Sequence, residues 1–146
     1  MANIPEFVGN HPVLVAAFFG ILGLIIYNEV RRGNRAYAEV GVFEATQLSN
    51  QQDALFLDVR EEHEYRQGHL NEAKHIPVGR LESRLSELES VKDKPIIAYC
   101  RSGQRSQQAC ELLARNGFEA LYNLKGGLLA WQGEGMPVSK SKNRGK

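Results

Sequence analysis

The chain has 146 residues, enough for one domain and an appendage. Its hydrophobic fraction of 42% and charged fraction of 24% exclude a wholly disordered protein, and its net charge of +1 argues against nucleic acid as the main partner. Two cysteines are too few for a disulfide framework or a four-ligand zinc site. We expect a reducing compartment and at least one free thiol, although the sequence leaves a bridge between Cys100 and Cys110 open.

The first predicted element is an uncharged apolar segment at residues 13–27, VLVAAFFGILGLIIY. At about 1.5 Å per residue its helix spans roughly 22 Å, and the flanking residues extend it toward the ~30 Å of a hydrocarbon core. A cleaved signal peptide and a buried core helix are the alternatives. No Lys or Arg precedes the segment, whereas Arg31, Arg32 and Arg35 follow it, so we expect a transmembrane anchor over residues 1–30.

The same charge pattern predicts an outside N-terminus and a cytoplasmic remainder. The protein is then a single-pass membrane protein, located in the inner membrane if it is bacterial. We expect a polar linker over residues 31–39, a folded domain over residues 40–138 and a basic tail over residues 139–146. Such a tail indicates either a solvated segment or attraction to anionic lipid headgroups.

The expected domain alternates short apolar runs with amphipathic stretches. Strands are predicted at 54–59, 74–76, 95–99 and 120–124, and helices at 43–51, 81–88 and 106–116. This alternation predicts an α/β fold with a mostly parallel sheet that is covered on both faces. In such sheets ligands bind beyond the carboxyl ends of the strands.

That rule directs attention to Cys100, which directly follows the predicted strand 95–99. The chain continues into a helix through a short loop with a glycine, Cys100-Arg101-Ser102-Gly103-Gln104-Arg105-Ser106. Backbone N–H groups of such a loop converge on the sulfur, and the helix N-terminus adds about half a positive charge. We therefore expect a depressed pKa for Cys100 and a nucleophile near neutral pH. Cys110, inside the following helix, is expected to be inert packing.

Other short motifs accompany this loop in a fixed order. They are Asp58-Val59-Arg60, Glu64-Tyr65, Gly68-His69-Leu70, His75-Ile76-Pro77, Asn123-Leu124, Gly126-Gly127 and Ala130-Trp131. With the Cys100 loop they resemble the rhodanese-like domain family over residues 40–138. The resemblance implies a rhodanese-like three-layer α/β fold with a five-stranded, mostly parallel sheet, here preceded by one transmembrane helix. It also implies a sulfurtransferase that works through a cysteine persulfide, with no metal and no cofactor.

The resemblance makes Cys100 the catalytic nucleophile. The substrate-binding residues that it implies are the next five of the loop, Arg101, Ser102, Gly103, Gln104 and Arg105. By analogy, the thiolate takes the outer sulfur of a small anionic donor such as thiosulfate, or of a protein persulfide, and passes it to a thiolate or cyanide. The two arginines would attract anionic donors. The alternative interpretation of Arg101 and Arg105 is a solvated surface pair.

Three charged residues near the loop are expected to be structural. Asp58 and Arg60 end a strand, and Glu64 precedes a turn, so hydrogen bonds that tie loops together are favoured over substrate contact. No metal site is expected, because His69 and His75 lack a third ligand.

Two other classes of function stay open. A related phosphatase and arsenate-reductase branch places a Cys and an Arg six positions apart, so that a longer loop wraps a tetrahedral oxyanion. Here Ser106 holds that position and Arg105 comes one residue early, which disfavours this chemistry. The other class is a membrane-tethered binding or scaffold module, although such modules usually lack the cysteine. The anchor suggests a membrane-protein partner.

Overall fold

The computed structural model describes residues 8–33 and 35–140 of the chain. Two compact units divide between Arg35 and Ala36. The first seven residues of the predicted anchor and residues 141–146 of the predicted basic tail lie outside the described residues.

The first unit contains one long helix, α1, at Pro12–Gly33. Its 19 residues Pro12–Val30 are long and apolar enough to cross a membrane, by length and composition. At about 1.5 Å per residue they extend roughly 28 Å, close to the thickness of a hydrocarbon core. Their large apolar side chains are exposed, and they include Phe18 and Phe19. The helix is longer than the predicted apolar run because polar residues continue it to Gly33.

The second unit alternates strands and helices. Its elements are β1 Ala38–Val40, α2 Val42–Gln52, β2 Leu55–Asp58, α3 Glu62–Gln67, β3 Lys74–His75, α4 Val78–Leu81, a 3₁₀ segment Glu82–Val91, β4 Ile96–Tyr99, α5 Gln104–Arg115, β5 Leu121–Leu124 and α6 Gly127–Gly133. The five strands form one sheet in the order β1-β5-β4-β2-β3, and every pair in it is parallel. This architecture confirms the predicted α/β fold with a five-stranded parallel sheet.

Helices cover both faces of the sheet, so its central strands are buried on both sides. One core cluster contains Leu57, Ile96 and Ala98, and the other contains Phe56 and Ile97, as successive side chains point to opposite faces. All four residues of β4 are buried. For this reason the continuous apolar runs in the sequence located β2, β4 and β5 to within one or two residues.

The structure departs from the sequence prediction in four places. Residues 31–39, predicted as a linker, contain the end of α1 and the first two residues of β1. β1 has no apolar run, because it is an edge strand in which only Val40 is buried. The helix predicted at 81–88 is wrong in type: most of it is the 3₁₀ segment, with non-helical backbone angles at Arg84. The short helices α3 and α6 were not predicted.

Candidate active site

The loop between β4 and α5 carries Cys100 at the carboxyl edge of the sheet, directly after the last residue of β4. The loop turns back at Gly103, whose φ of +105° lies in the region that favours glycine. That turn aims the Gly103 N–H at the sulfur, with 3.1 Å between the nitrogen and Sγ. The cysteine is only 1% exposed, so its sulfur lies at the bottom of the loop.

Several donors surround this sulfur and change its ionisation. Burial raises the pKa of the Cys100 thiol, but the Ser106 hydroxyl and the backbone N–H groups of Ser106, Gly103 and Ser102 lower it, and the net pKa falls below its ordinary value. The Ser106 Oγ lies 3.5 Å from the sulfur. Each hydrogen bond stabilises the thiolate more than the thiol, because the anion is the stronger acceptor. The direction agrees with the depressed pKa expected from the sequence.

Two carbonyl groups of the same loop accept hydrogen bonds from the start of α6. The Leu128 N–H donates to the Cys100 carbonyl at 2.9 Å, and the Leu129 N–H donates to the Arg101 carbonyl at 3.1 Å. This approach requires glycine at 127, where a Cβ atom would lie 2.5 Å from the Cys100 carbonyl oxygen and φ is +57°. The Gly-Gly motif therefore holds the loop in the orientation that faces its N–H groups inward.

Arg105 and Glu64 form a two-pronged ion pair across the mouth of the loop. The guanidinium donates to the two carboxylate oxygens at 2.7 and 2.9 Å. The Arg105 side chain lowers the pKa of Glu64 to about 2, and the carboxylate in turn raises the pKa of Arg105. The charge of Arg105 is therefore compensated by Glu64. Arg101 is exposed and has no acidic partner among the residues that the structure describes.

A second ion pair, between Asp58 and Arg60, is largely buried. The closest atoms, Arg60 Nη2 and Asp58 Oδ2, are 2.6 Å apart, and Nη2 also donates to the Gly68 carbonyl at 2.7 Å. The Tyr99 ring lies beneath the guanidinium at 5.8 Å. These contacts join the end of β2 to the turn after α3, which is the loop-tying role expected for Asp58 and Arg60.

A surface recess of about 300 Å³ opens beside the loop. Its walls combine charged, polar and apolar side chains, namely Arg60, Glu64, Gln67, Gly68, Arg101, Leu128, Leu129 and Gln132. Two predicted loop residues, Ser102 and Gln104, expose their side chains to solvent. Ser102 reaches the sulfur only through its backbone N–H.

Three residues of this site were not singled out from the sequence as site residues: Ser106, Gly127 and Asn123. Asn123 is 1% exposed on β5 and connects to the loop through Ser106 and Gly103. A buried asparagine in an apolar strand run is the signal that was available for it, since buried polar groups need partners.

The remaining candidates lie elsewhere. Cys110 is fully buried on α5, and burial raises the pKa of its thiol to about 12. Both cysteines are free thiols. His69 and His75 stack on opposite sides of the Tyr65 ring, with centroid distances of 3.8 and 4.4 Å. Within residues 8–33 and 35–140, no group of three or more His, Cys, Asp or Glu is placed to hold a metal ion.

Comparison with known proteins places this geometry in a family. The chain is 31% identical over 143 residues to the uncharacterized protein YibN of Escherichia coli strain K12, spanning 97% of this chain and 100% of YibN. It is 38% identical over 91 residues to a sulfurtransferase of Allochromatium vinosum, spanning 62% of this chain and 83% of that protein.

A solved structure supports the same assignment. The crystal structure of a rhodanese-related protein from Thermoplasma volcanium matches with a TM-score of 0.64 at 29% identity, over 70% of this chain and 98% of that one. The fold is therefore the rhodanese-like fold expected from the motifs. The family model described as Rhodanese-like domain matches residues 43–134, and the chain belongs to that family.

Proposed function

We propose that this protein is a sulfurtransferase that carries a sulfane sulfur as a persulfide on Cys100. The family and its sulfurtransferase-named relative support sulfurtransferase-like activity. The observation that carries the finer proposal is the ring of N–H and hydroxyl donors around one sulfur, which lowers the pKa of Cys100 despite its burial. A thiolate is the nucleophile that sulfur transfer needs.

The reaction proceeds in two displacements. The Cys100 thiolate attacks the outer sulfur of thiosulfate, a sulfur–sulfur bond forms, and the bond to the departing sulfite breaks with its electron pair. The resulting persulfide keeps one negative charge, which the loop N–H groups stabilise as they stabilise the thiolate. A cyanide or thiolate acceptor then attacks the outer sulfur, forms thiocyanate or a new persulfide, and regenerates the Cys100 thiolate. A protein persulfide serves as donor by the same exchange.

The shape of the site favours a sulfur atom over a phosphoryl group. Cys100 is 1% exposed, so only the terminal atom of a donor reaches the sulfur, as in thiosulfate or a persulfide. The arginine that could fork onto an oxyanion, Arg105, is already engaged by Glu64. Arg101 at the rim has no acidic partner within residues 8–33 and 35–140, and its positive charge attracts an anionic donor.

The direct experiment compares Cys100→Ser with Cys110→Ser in the full chain in detergent, with thiosulfate as donor and cyanide as acceptor. We expect Cys100→Ser to lower turnover by about a thousandfold or more, because the nucleophile is lost, and Cys110→Ser to retain it. Intact-mass measurement after thiosulfate treatment should add one sulfur atom to wild type and to Cys110→Ser only. If the wild-type chain shows no turnover and forms no adduct, the protein is a binding module rather than a sulfurtransferase. If it hydrolyses an aryl phosphate in a reaction that depends on Cys100, it is a phosphatase.

We also propose that α1 tethers this domain to a membrane. The length and composition of Pro12–Val30 support a span, and the arginines after it favour a cytoplasmic domain under the positive-inside rule. The test expresses the full chain, separates membranes and treats sealed vesicles of known orientation with protease. We expect the chain to stay in the membrane fraction after an alkaline wash. A protease added on the non-cytoplasmic side should leave the domain intact. Release of a shortened, soluble domain would indicate a cleaved signal instead.

A further inference from the structure

Asn123 is a buried polar side chain, and both ends of its amide reach the Cys100 loop. It lies on β5 and is 1% exposed. Its Oδ1 lies 2.5 Å from the Ser106 Oγ, and its Nδ2 donates to the Gly103 carbonyl at 3.3 Å. Ser106 and Gly103 are themselves two residues whose groups contact the sulfur of Cys100.

The Gly103 carbonyl determines which way this amide faces. If the amide were reversed, Oδ1 would face the carbonyl oxygen of Gly103, and two acceptors would meet without a hydrogen between them. Nδ2 therefore faces Gly103 and Oδ1 faces Ser106. In that orientation Asn123 can only accept a hydrogen from the Ser106 hydroxyl.

The Ser106 hydroxyl has one hydrogen and two neighbouring acceptors. Its oxygen is 2.5 Å from Asn123 Oδ1 and 3.5 Å from Cys100 Sγ. While the sulfur is protonated, the nearer amide oxygen holds the hydrogen. When the sulfur ionises and its proton leaves to solvent, the thiolate becomes the stronger acceptor and the hydroxyl hydrogen turns toward it.

We propose that Asn123 is a positioning residue that competes with Cys100 for the hydroxyl hydrogen of Ser106, so that ionisation of the sulfur switches the hydrogen bond between them. The inference rests on the proposed function, in which the thiolate of Cys100 is the nucleophile. Asn123 thereby sets how readily the nucleophile forms without touching it. Its second contact, to the Gly103 carbonyl, keeps the loop peptide aimed at the sulfur.

The first test follows the wild-type chain in detergent micelles by nuclear magnetic resonance as pH rises. We expect the side-chain amide signals of Asn123 to shift with the same midpoint as the alkylation of Cys100 by iodoacetamide. Asn116 is the internal reference, since its exposed amide donates to the Leu112 carbonyl at the far end of α5. The Asn123 shift should be at least halved in Ser106→Ala. A static Asn123 signal, or a full shift in Ser106→Ala, would overturn the inference.

The second test uses Asn123→Asp, whose carboxylate holds the hydroxyl hydrogen more strongly than an amide does. We expect the pKa of the Cys100 thiol to rise by about one unit, which is a tenfold change in its ionisation constant. The negative charge of the new carboxylate would by itself raise the pKa of Cys100, with or without the Ser106 hydroxyl. Asn123→Asp is therefore also measured in the Ser106→Ala background. Competition for the hydrogen predicts a clearly smaller rise there, and equal rises in both backgrounds would refute it.

These readouts separate the inference from the proposed function. Both follow the ionisation of the thiol, which occurs whether or not sulfur is transferred. Should Asn123→Asp fail to fold, the wild-type titration decides alone. If the Asn123 amide signals shift with pH but no persulfide forms, the proposed function is wrong and the hydrogen-bond switch stands.

Discussion

The two cysteines of this chain occupy the same core cluster and are equally buried, yet their thiols behave in opposite ways. Cys100 is 1% exposed and Cys110 is 0% exposed. The pKa of Cys100 falls, whereas the pKa of Cys110 rises to about 12. Burial raises the pKa at both positions, so the fall at Cys100 needs a second cause.

The difference comes from what each sulfur contacts. Cys100 follows a strand and faces N–H groups that no regular hydrogen bond occupies, together with a serine hydroxyl. Cys110 lies in the middle of α5, where the neighbouring N–H groups are used by the helix, and its sulfur lies 3.4 Å from the Tyr122 carbonyl oxygen. A carbonyl favours the protonated thiol, and a converging set of donors favours the anion. The donors of the loop therefore decide the direction of the pKa shift at Cys100.

The largest expected effect is on alkylation. At pH 7 we expect iodoacetamide to modify Cys100 more than about a thousandfold faster than Cys110 in the native chain, because thiolate is the reactive form. Peptide mass spectrometry after timed quenching measures both rates. In denaturing urea the two rates should converge, which serves as the control. Comparable native rates would break the contrast between the two sites.

Gly127→Ala tests whether α6 maintains the loop. The new Cβ would meet the Cys100 carbonyl oxygen at 2.5 Å on a left-handed backbone, so we expect the free energy of unfolding to fall by about 2 to 4 kcal/mol. Gly133→Ala on the same helix is the matched control, since a Cβ there meets nothing within 4 Å, and its change should stay within about 1 kcal/mol. Urea denaturation in detergent measures both. Equal stability would contradict the close approach.

Ser106→Ala tests the hydroxyl donor. Loss of a hydrogen bond to an anion, at about 1.5 to 3 kcal/mol, should raise the pKa of Cys100 by about one to two units. Activity should then fall at pH 7 and recover as the pH rises, because a higher pKa removes thiolate only below that pH. The pH profile of alkylation measures the shift. Ser102→Ala should leave the pKa unchanged, since only the backbone N–H of Ser102 contributes.

The smallest expected effect concerns the charge at the mouth of the loop. Glu64→Gln leaves the charge of Arg105 uncompensated beside Cys100, so the KM for thiosulfate should fall by about two- to fivefold, within the usual range for partly exposed pairs. Glu62→Gln removes the same charge from an exposed pair with Arg66 on the same helix and should not change the KM. A rise in KM for Glu64→Gln would show that the ion pair favours thiosulfate binding rather than weakening it.

Local signals in the sequence predicted the central strands and the position of Cys100. The strands were recognisable because both of their faces are buried, which makes them continuously apolar. The edge strand β1 was missed, since Glu39 and Ala38 are exposed and leave no such run. No local signal indicated the contact of Gly126-Gly127 with the loop, because the hydrogen bonds there join residues 28 positions apart in the chain.

From its residues alone, the chain specified an alternating α/β domain, a cysteine at the end of a strand and an apolar segment before the domain. Neighbouring residues encode these features through periodicity and turn chemistry. Which partners the charged and polar groups would take was decided by the tertiary structure. Arg105 meets Glu64 across 41 positions, and Ser106 meets Asn123 across 17. Such pairings arise only when separate strands and loops converge at one edge of the sheet, and no local pattern records that convergence.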